Sequence, residues 1–99
     1  MGAQDFMVVC AGDTAKLAFD EAVGEARYLH GHGGYTGTIA EKGSFVPVGS
    51  AADEEEAREK AQTLIDNRDP RIEDKWGPAG CIEIAEPKNT FLFFGTASS

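Results

Sequence analysis

Two segments that are apolar on both alternating faces constrain the fold of this chain more than any other feature. Phe6-Met7-Val8-Val9-Cys10 lies near the start of the sequence, and Thr90-Phe91-Leu92-Phe93-Phe94 lies near its end. Successive side chains of a strand point to opposite faces of the sheet, so each run predicts a central strand that is covered on both sides. The fold must therefore supply apolar cover for both faces of its sheet.

Two segments have the three-and-four spacing of apolar residues that is typical of amphipathic helices. The first runs over about residues 14–30, where Asp13 or Thr14 is expected to cap the exposed N–H groups, and the second runs over about residues 52–67. The predicted apolar stripes contain Ala15, Ala18, Phe19, Ala22, Val23, Ala26 and Leu29 in the first helix, and Ala57, Ala61, Leu64 and Ile65 in the second.

Three further strands are predicted between and after the helices. Residues 35–40 alternate weakly and are rich in Thr, and the turn over residues 41–44 has its glycine late, which suits a hairpin. Residues 45–48 form the returning strand, where Pro47 cannot donate to a ladder and is expected at an edge or a bulge. Residues 81–86 form the strand before the last one.

The resulting order of elements predicts a single α+β domain over residues 1–99. Its first six elements match a ferredoxin-like βαββαβ sandwich, to which an additional C-terminal strand is added. In that fold two helices cover one face of an antiparallel sheet, and the first strand lies beside the fourth. The helix-free face then needs another cover, and pairing of two copies as a homodimer is the simplest one.

The same arrangement makes Cys10 and Cys81 neighbours on adjacent strands. A disulfide could form between them, but two cysteines in a reducing compartment are normally thiols, so buried free thiols are favoured. The N-terminus has no basic segment before its apolar run, which argues against a signal peptide and favours a cytoplasmic location. No apolar run approaches the length of a membrane-spanning helix, so no membrane contact is expected.

The charge balance excludes one large class of functions. The chain has 17 acidic and 9 basic residues and a formal net charge of −8. Sequence-independent binding of nucleic acid depends on dense Lys and Arg contacts to phosphates, so direct nucleic-acid binding is not expected. The acidity serves solubility in its simplest interpretation, and it also fits a partner with a basic surface or a mimic of nucleic acid.

The segment between the first helix and the next predicted strand is the first candidate site. Gly33 and Gly34 can expose successive backbone N–H groups that bind an anion, and Tyr35, Thr36 and Thr38 can add stacking and hydroxyl contacts. The segment follows a helix and precedes a strand, which is the reverse of a dinucleotide-binding fingerprint. The alternative is a helix C-cap followed by a strand that another backbone crosses closely.

His30 and His32 form a His-Gly-His triplet in that segment. Two histidines can bind a metal or act as acid and base near neutral pH, but a structural zinc site needs two more ligands, and no ligand spacing supplies them. No metal site and no cofactor are predicted. A histidine at a helix C-terminus is also favoured by the dipole alone. A catalytic histidine working with Glu41 is the remaining alternative.

The long connection over residues 67–80 is the second candidate site. Trp76 can stack on a base or another aromatic ligand, and Arg71 or Lys75 can pair with a phosphate or a carboxylate. Loops of this length in small domains are often functional. The alternative is that Trp76 anchors the loop onto the core while the charges remain solvated.

Parts of these two sites also carry a resemblance. Gly33-Gly34-Tyr35-Thr36-Gly37-Thr38-Ile39-Ala40-Glu41-Lys42 and Asp74-Lys75-Trp76-Gly77-Pro78-Ala79-Gly80 resemble small hypothetical proteins encoded by bacteriophages. The resemblance implies a phage accessory protein that acts in the host cytoplasm, where such proteins often bind a host protein or sequester a nucleotide signal. It implies no catalytic residues.

Three functional hypotheses follow. The first is a protein that binds a small anionic or nucleotide-like ligand without turning it over, with the ligand held where the two candidate sites meet. The second is a small hydrolase or phosphodiesterase that uses His30 or His32 as acid and base. The third is an acidic interaction module that inhibits a host protein through its negative surface.

Overall fold

Helices and strands alternate along most of the chain, which ends in a β-hairpin. A computed structural model describes residues 2–30 and 36–98. The elements in chain order are β1 Ala3–Ala11, α1 Ala15–His30, a 3-10 helix Ile39–Glu41, β2 Phe45–Ala51, α2 Glu54–Asp66, β3 Ala79–Ile84 and β4 Thr90–Ser98.

The four strands form one mixed sheet in the order β1-β4-β3-β2. β4 runs antiparallel to both of its neighbours, whereas β2 and β3 are parallel, so β1, β2 and β3 all point the same way. The α+β class is confirmed. The predicted antiparallel sheet is wrong, and a ferredoxin-like fold is not confirmed. The predicted neighbour of the first strand is also wrong, because β4 lies between β1 and β3.

The two helices pack on opposite faces of this sheet. Phe6, Val8 and Cys10 of β1 pack with α1, whereas Met7 and Val9 pack with α2. The connection through α1 crosses from one edge of the sheet to the other, and the connection through α2 runs in the opposite direction by one strand, from β2 to its neighbour β3. Connections between parallel strands are nearly always right-handed. Because two right-handed connections that run in opposite directions must lie on opposite faces of a sheet, α1 and α2 cover different faces.

This arrangement corrects the expectation that both helices share one face. It also explains the segments that are apolar on both faces, because each face of the sheet has its own core. Phe91 and Phe93 of β4 lie in the core beneath α1, and Leu92 and Phe94 lie in the core beneath α2. The face that was expected to be helix-free is covered by α2, so it does not need a second copy of the chain.

The position of the first strand differs from its prediction. The last strand, β4, is central, and Phe91–Phe94 are at most 8% exposed. β1 is an edge strand, and its apolar residues 6–10 are only half-buried. Both strands extend beyond their predicted ends, because Ala3 to Asp5 pair with residues 96–98 and the Thr96 hydroxyl donates to Asp5 over 3.0 Å.

No strand forms over Thr36–Ala40, where sequence alternation predicts one. Local side-chain oxygens accept the backbone N–H groups that a ladder would need: Thr36 N–H donates to Glu41, Thr38 N–H to the Thr36 hydroxyl, and Ala40 N–H to the Thr38 hydroxyl. Ser, Thr and carboxylate side chains compete with regular structure in this way. The segment closes as a 3-10 helix, and the predicted hairpin at residues 41–44 is therefore wrong.

Two smaller predictions about β2 and the cysteines are confirmed. β2 is an edge strand, and its register shifts between Pro47 and Gly49, so Pro47 lies both at an edge and beside a bulge. Cys10 and Cys81 are free thiols as predicted, but only Cys81 is buried, whereas Cys10 is half-buried. They are not neighbours, because Cys10 pairs with Phe91 and Cys81 with Phe93 on the intervening strand.

The predicted helices form with nearly the expected ends. Thr14 caps α1 by accepting from the N–H of Leu17 over 3.1 Å, and Asp53 caps α2 by accepting from the N–H of Glu56 over 2.9 Å. Leu29 is 56% exposed and lies outside the core in which its stripe places it. Neither helix among the described residues has the length and hydrophobicity needed to cross a bilayer.

Candidate functional site

A buried lysine joins the two segments that the sequence marks as candidate sites. Lys42 follows the 3-10 helix and is 2% exposed. Its ammonium Nζ donates to three backbone carbonyls, those of Asp74 at 3.3 Å, Lys75 at 3.3 Å and Gly77 at 3.0 Å. An ammonium has three protons, so these carbonyls satisfy it fully. Lys42 therefore attaches residues 74–77 to the end of the segment that begins at Thr36.

The environment of Lys42 acts on its charge in two opposing ways. Burial lowers the pKa of the ammonium, and the nearby carboxylate of Asp74 raises it, with burial the larger effect. A buried cation is tolerated when it is hydrogen-bonded and near an opposite charge. Sequence analysis missed Lys42 because lysines are rarely buried, and Gly43 and Ser44 after it suggest an exposed turn.

Residues 74–77 form a tight turn of their own, here called the Trp76 turn. Gly77 N–H donates to the Asp74 carbonyl over 2.9 Å, and Trp76 N–H donates to the Asp74 carboxylate over 2.8 Å. The backbone of the turn is thus stabilised by hydrogen bonds to Asp74 within the turn and by hydrogen bonds from Lys42 outside it. The backbone of the Trp76 turn is therefore fixed relative to Lys42.

The Trp76 turn presents an aromatic ring and a cation together. The Trp76 side chain is 62% exposed, and Lys75 Nζ lies 5.5 Å from the centroid of its ring. The distance is within the range of a cation–π interaction. Trp76 lies in neither core of the described residues, which does not favour the alternative in which it anchors the loop onto the core. Ile72, which is 1% exposed, contributes the apolar contact, and Lys42 contributes the polar one.

Arg71 lies in the same long connection, but its charge is already paired. Its Nε and Nη2 each donate to a different carboxylate oxygen of Asp69, both over 2.9 Å, and its backbone N–H also donates to Asp69. Hydrogen bonding from Arg71 lowers the pKa of Asp69 to about 2. Asp69 accepts two of the five guanidinium N–H donors, so a ligand phosphate or carboxylate would share Arg71 with Asp69.

The hydroxyl groups of Thr36 and Thr38 are used within their own segment. The Thr36 hydroxyl donates to Glu41 over 2.9 Å, and the two hydroxyl oxygens lie 2.7 Å apart, so Thr38 supplies the proton between them. Each hydroxyl has one proton, so neither retains one for a ligand in this arrangement. The carboxylate of Glu41 also accepts the Thr36 N–H and is therefore occupied by two donors.

The remaining predicted residues of the first site lie outside the described part of the chain. They are His32, Gly33, Gly34 and Tyr35, together with the side chain of His30, whose backbone ends α1. Among the residues that the structure does describe, no group of three or more His, Cys, Asp or Glu side chains is arranged to hold a metal ion.

Three surface cavities on the described residues are not lined by Lys75 or Trp76. One, of about 540 Å³, lies between β2 and α2 and is lined by Val48 and Leu64 among others. A second, of about 530 Å³, is lined by Asp5 and Arg68 among others. The smallest, of about 220 Å³, lies beside β1 and α1 and reaches Thr38.

Comparison of this chain with protein-family models, curated proteins and solved structures finds no match.

Proposed function

We propose that this protein is a binding module that holds a small planar, anionic ligand of the nucleotide type on the Trp76 turn and does not turn it over. The observation that supports the proposal most directly is an exposed tryptophan on a turn whose backbone is fixed by the buried ammonium of Lys42. A turn whose backbone is already ordered loses less conformational freedom when a ligand binds, which favours affinity.

The chemistry of the turn suits a base or another flat aromatic group. Stacking of a base on an aromatic side chain contributes about 1–3 kcal/mol, and it tolerates different bases because each has a π-face. Lys75, whose Nζ lies 5.5 Å from the centroid of the Trp76 ring, can place its charge beside an anionic group of the stacked ligand.

The charges of the whole chain limit the size of such a ligand. A net charge of −8 repels a polyanion, whereas a single phosphate near Lys75 meets a local cation. The proposal is therefore a mononucleotide-like ligand and not a nucleic acid. Gly33, Gly34 and Tyr35 remain proposed as ligand-contacting residues, and Thr36 and Thr38 are proposed to support them from within the segment.

The proposal can be tested by titrating the protein with a panel of nucleoside monophosphates. Trp76 is the one tryptophan of the sequence, so its fluorescence reports directly on stacking, and calorimetry gives the affinity independently. We expect saturable quenching of the Trp76 fluorescence of the native protein. In calorimetry, Trp76→Ala should abolish nucleotide binding and Lys75→Gln should lower the affinity. Tyr28→Ala is the matched control, because Tyr28 is also an exposed aromatic residue, at 81%, but lies on α1.

Two results would contradict the proposal. One is the absence of binding by every nucleotide of the panel at millimolar concentration. The other is binding that Trp76→Ala leaves unchanged. Recovery of intact nucleotide after long incubation, with the native protein and with His32→Ala, is expected of a binding protein, whereas turnover that His32→Ala abolishes supports the hydrolase instead.

The resemblance to small bacteriophage proteins is compatible with this proposal. A phage accessory protein that retains a nucleotide-like molecule in the host cytoplasm would need binding without catalysis. Native mass spectrometry of the protein from its host would report a retained small molecule and the oligomeric state together.

A further inference from the structure

The outer edge of β1 has backbone groups that no other described strand uses. β1 pairs on one side with β4 and ends the sheet on the other. Gly12 N–H donates to the Asn89 carbonyl over 2.9 Å, one position beyond the last pair of the β1–β4 ladder. Since hydrogen-bonded and non-hydrogen-bonded pairs alternate in an antiparallel ladder, the peptide groups of Asp5, Met7 and Val9 point outward.

This edge lacks the protection that the opposite edge has. Native sheets usually guard an edge strand with proline, charge or a bulge, because an unguarded edge pairs with other chains. β2 at the opposite edge has Pro47 and a register shift beside it. The segment from Phe6 to Cys10 contains no proline and no charge, and all five of its residues are half-buried.

An apolar groove runs along the unguarded edge. It has a volume of about 220 Å³ and is lined by residues 6–10 of β1 and by Ala22, Glu25, Ala26 and Leu29 of α1. Sites for drug-sized molecules are typically about 300–1,000 Å³, so this groove suits side chains better than a whole ligand. A strand edge beside a side-chain groove is the geometry used for binding extended peptides.

The charges at the groove indicate which peptide it suits. Glu25 lines the groove, and Glu21 lies one turn earlier on the same helix. Burial is the largest cause of the raised pKa of the Cys10 thiol in the groove, and the carboxylates of Glu21 and Glu25 raise this pKa further. The negative potential of the two carboxylates therefore reaches the β1 edge. A second copy of this chain, with a net charge of −8, would bring like charge to that position.

We propose that the β1 edge and the β1–α1 groove bind an extended peptide segment of a basic partner protein. The segment adds a strand to β1 through the outward peptide groups of Asp5, Met7 and Val9. Alternate apolar side chains enter the groove, and a Lys or Arg lies near Glu21 and Glu25. The Trp76 turn takes no part in this interaction.

The proposal is tested with synthetic nine-residue peptides that alternate Val and Thr and have Lys at both ends. A second peptide has Glu at the ends, and a third is N-methylated at alternate residues. We expect the Lys peptide to shift the amide resonances of β1 and α1 and to protect Cys10 from alkylation. The Glu peptide should bind at least about fivefold more weakly because of the acidic rim, and N-methylation should abolish binding.

Two variants with the same change of charge separate the groove from the general acidity of the protein. Glu25→Lys should weaken binding of the Lys peptide by up to about fivefold. Glu59→Lys, an exposed position on α2 across the sheet, should leave it nearly unchanged. Val9→Pro removes an outward N–H that β4 does not use, and circular dichroism checks that this variant remains folded.

Three outcomes would overturn the proposal. The first is that no peptide of the panel binds at millimolar concentration, and the second is that shifts appear away from β1 and α1. The third is that the β1 resonances change with protein concentration alone, which would assign the edge to a second copy of the chain.

Discussion

Lys42 Nζ and the carbonyl oxygen of Gly77 are 3.0 Å apart, although 35 positions separate the two residues in the sequence. The contact places a buried cation beneath the turn that presents Trp76. It makes the orientation of that turn depend on a residue that contributes no contact to a ligand itself. The candidate site is thus a property of two separated segments and not of either one.

Lys42→Met should lower the free energy of unfolding by about 2–3 kcal/mol, because it leaves the carbonyls of Asp74, Lys75 and Gly77 without their buried donor. Urea denaturation measures the change. Lys16→Met is the control, since the Lys16 side chain is 73% exposed and its ion pair with Asp20 is a surface pair. Equal stability of the two variants would show that Lys42 does not hold the turn.

The pair of Asp69 and Arg71 should add an acid-sensitive component to stability. The pKa of Asp69 is lowered from 3.8 to about 2, chiefly by the side-chain hydrogen bond from Arg71. A carboxyl with a depressed folded-state pKa stabilises above its unfolded pKa, and that contribution is lost as pH falls through the folded value. Asp69→Asn should therefore flatten the pH dependence of unfolding between about pH 4 and pH 2. An unchanged slope in this window would contradict the assignment.

The Cys81 thiol should make the fold less stable in alkali. Burial, with a smaller effect of Glu83, raises its pKa from 9.0 to about 11. The folded state keeps the proton longer than the unfolded chain, so the stabilisation is complete below pH 9 and is lost as pH rises toward 11, by about 2–3 kcal/mol at most. Cys81→Ala should reduce this slope, as measured by denaturation at several pH values. Alkylation of the folded protein should reach half-buried Cys10 before Cys81.

Gly24→Ala should stabilise the protein by about 0.5–1 kcal/mol. Gly24 is inside α1, and a Cβ built on it meets no atom within 4 Å, so alanine gains helix propensity without a clash. Gly80→Ala is the matched opposite case, because its Cβ would lie 2.6 Å from the ring of Phe94 and should cost about 1–3 kcal/mol. Thermal unfolding distinguishes the two directions, and a destabilised Gly24→Ala would indicate packing on that face.

Local pattern alone identifies the two α-helices and the four strands of the described residues. It also predicts one strand that does not form, over Thr36–Ala40. The stripe from Ala15 to Leu29 predicts α1, and the runs at residues 6–10 and 90–94 predict β1 and β4. The helix is identified by the period of its apolar residues and the two strands by their short continuous apolar runs, so each pattern lies within its own segment. The failure at Thr36–Ala40 arises because hydroxyl and carboxylate groups only a few positions apart capture the backbone N–H groups, which alternation of residue types does not reveal.

For the candidate site, the sequence indicates the residue types but not their use. Trp76 is exposed and the half-buried Lys75 lies beside its ring, as the recognition hypothesis requires. Arg71, in contrast, is paired with Asp69, the Thr36 hydroxyl with Glu41, and the Thr38 hydroxyl with Thr36. No spacing rule predicts these hydrogen-bond partners, because each pairing depends on the path of an irregular loop.

By itself, the sequence determined that both faces of the sheet must be covered, since an apolar residue follows another in β1 and β4. Which element covers each face was decided by the tertiary structure. The strand order sends α1 across the sheet in one direction and α2 back in the other, so crossovers of one hand place the helices on opposite faces. The same strand order leaves β1 at an edge, and folding buries Lys42 beneath the Trp76 turn. Both results depend on contacts between distant segments, which no local pattern contains.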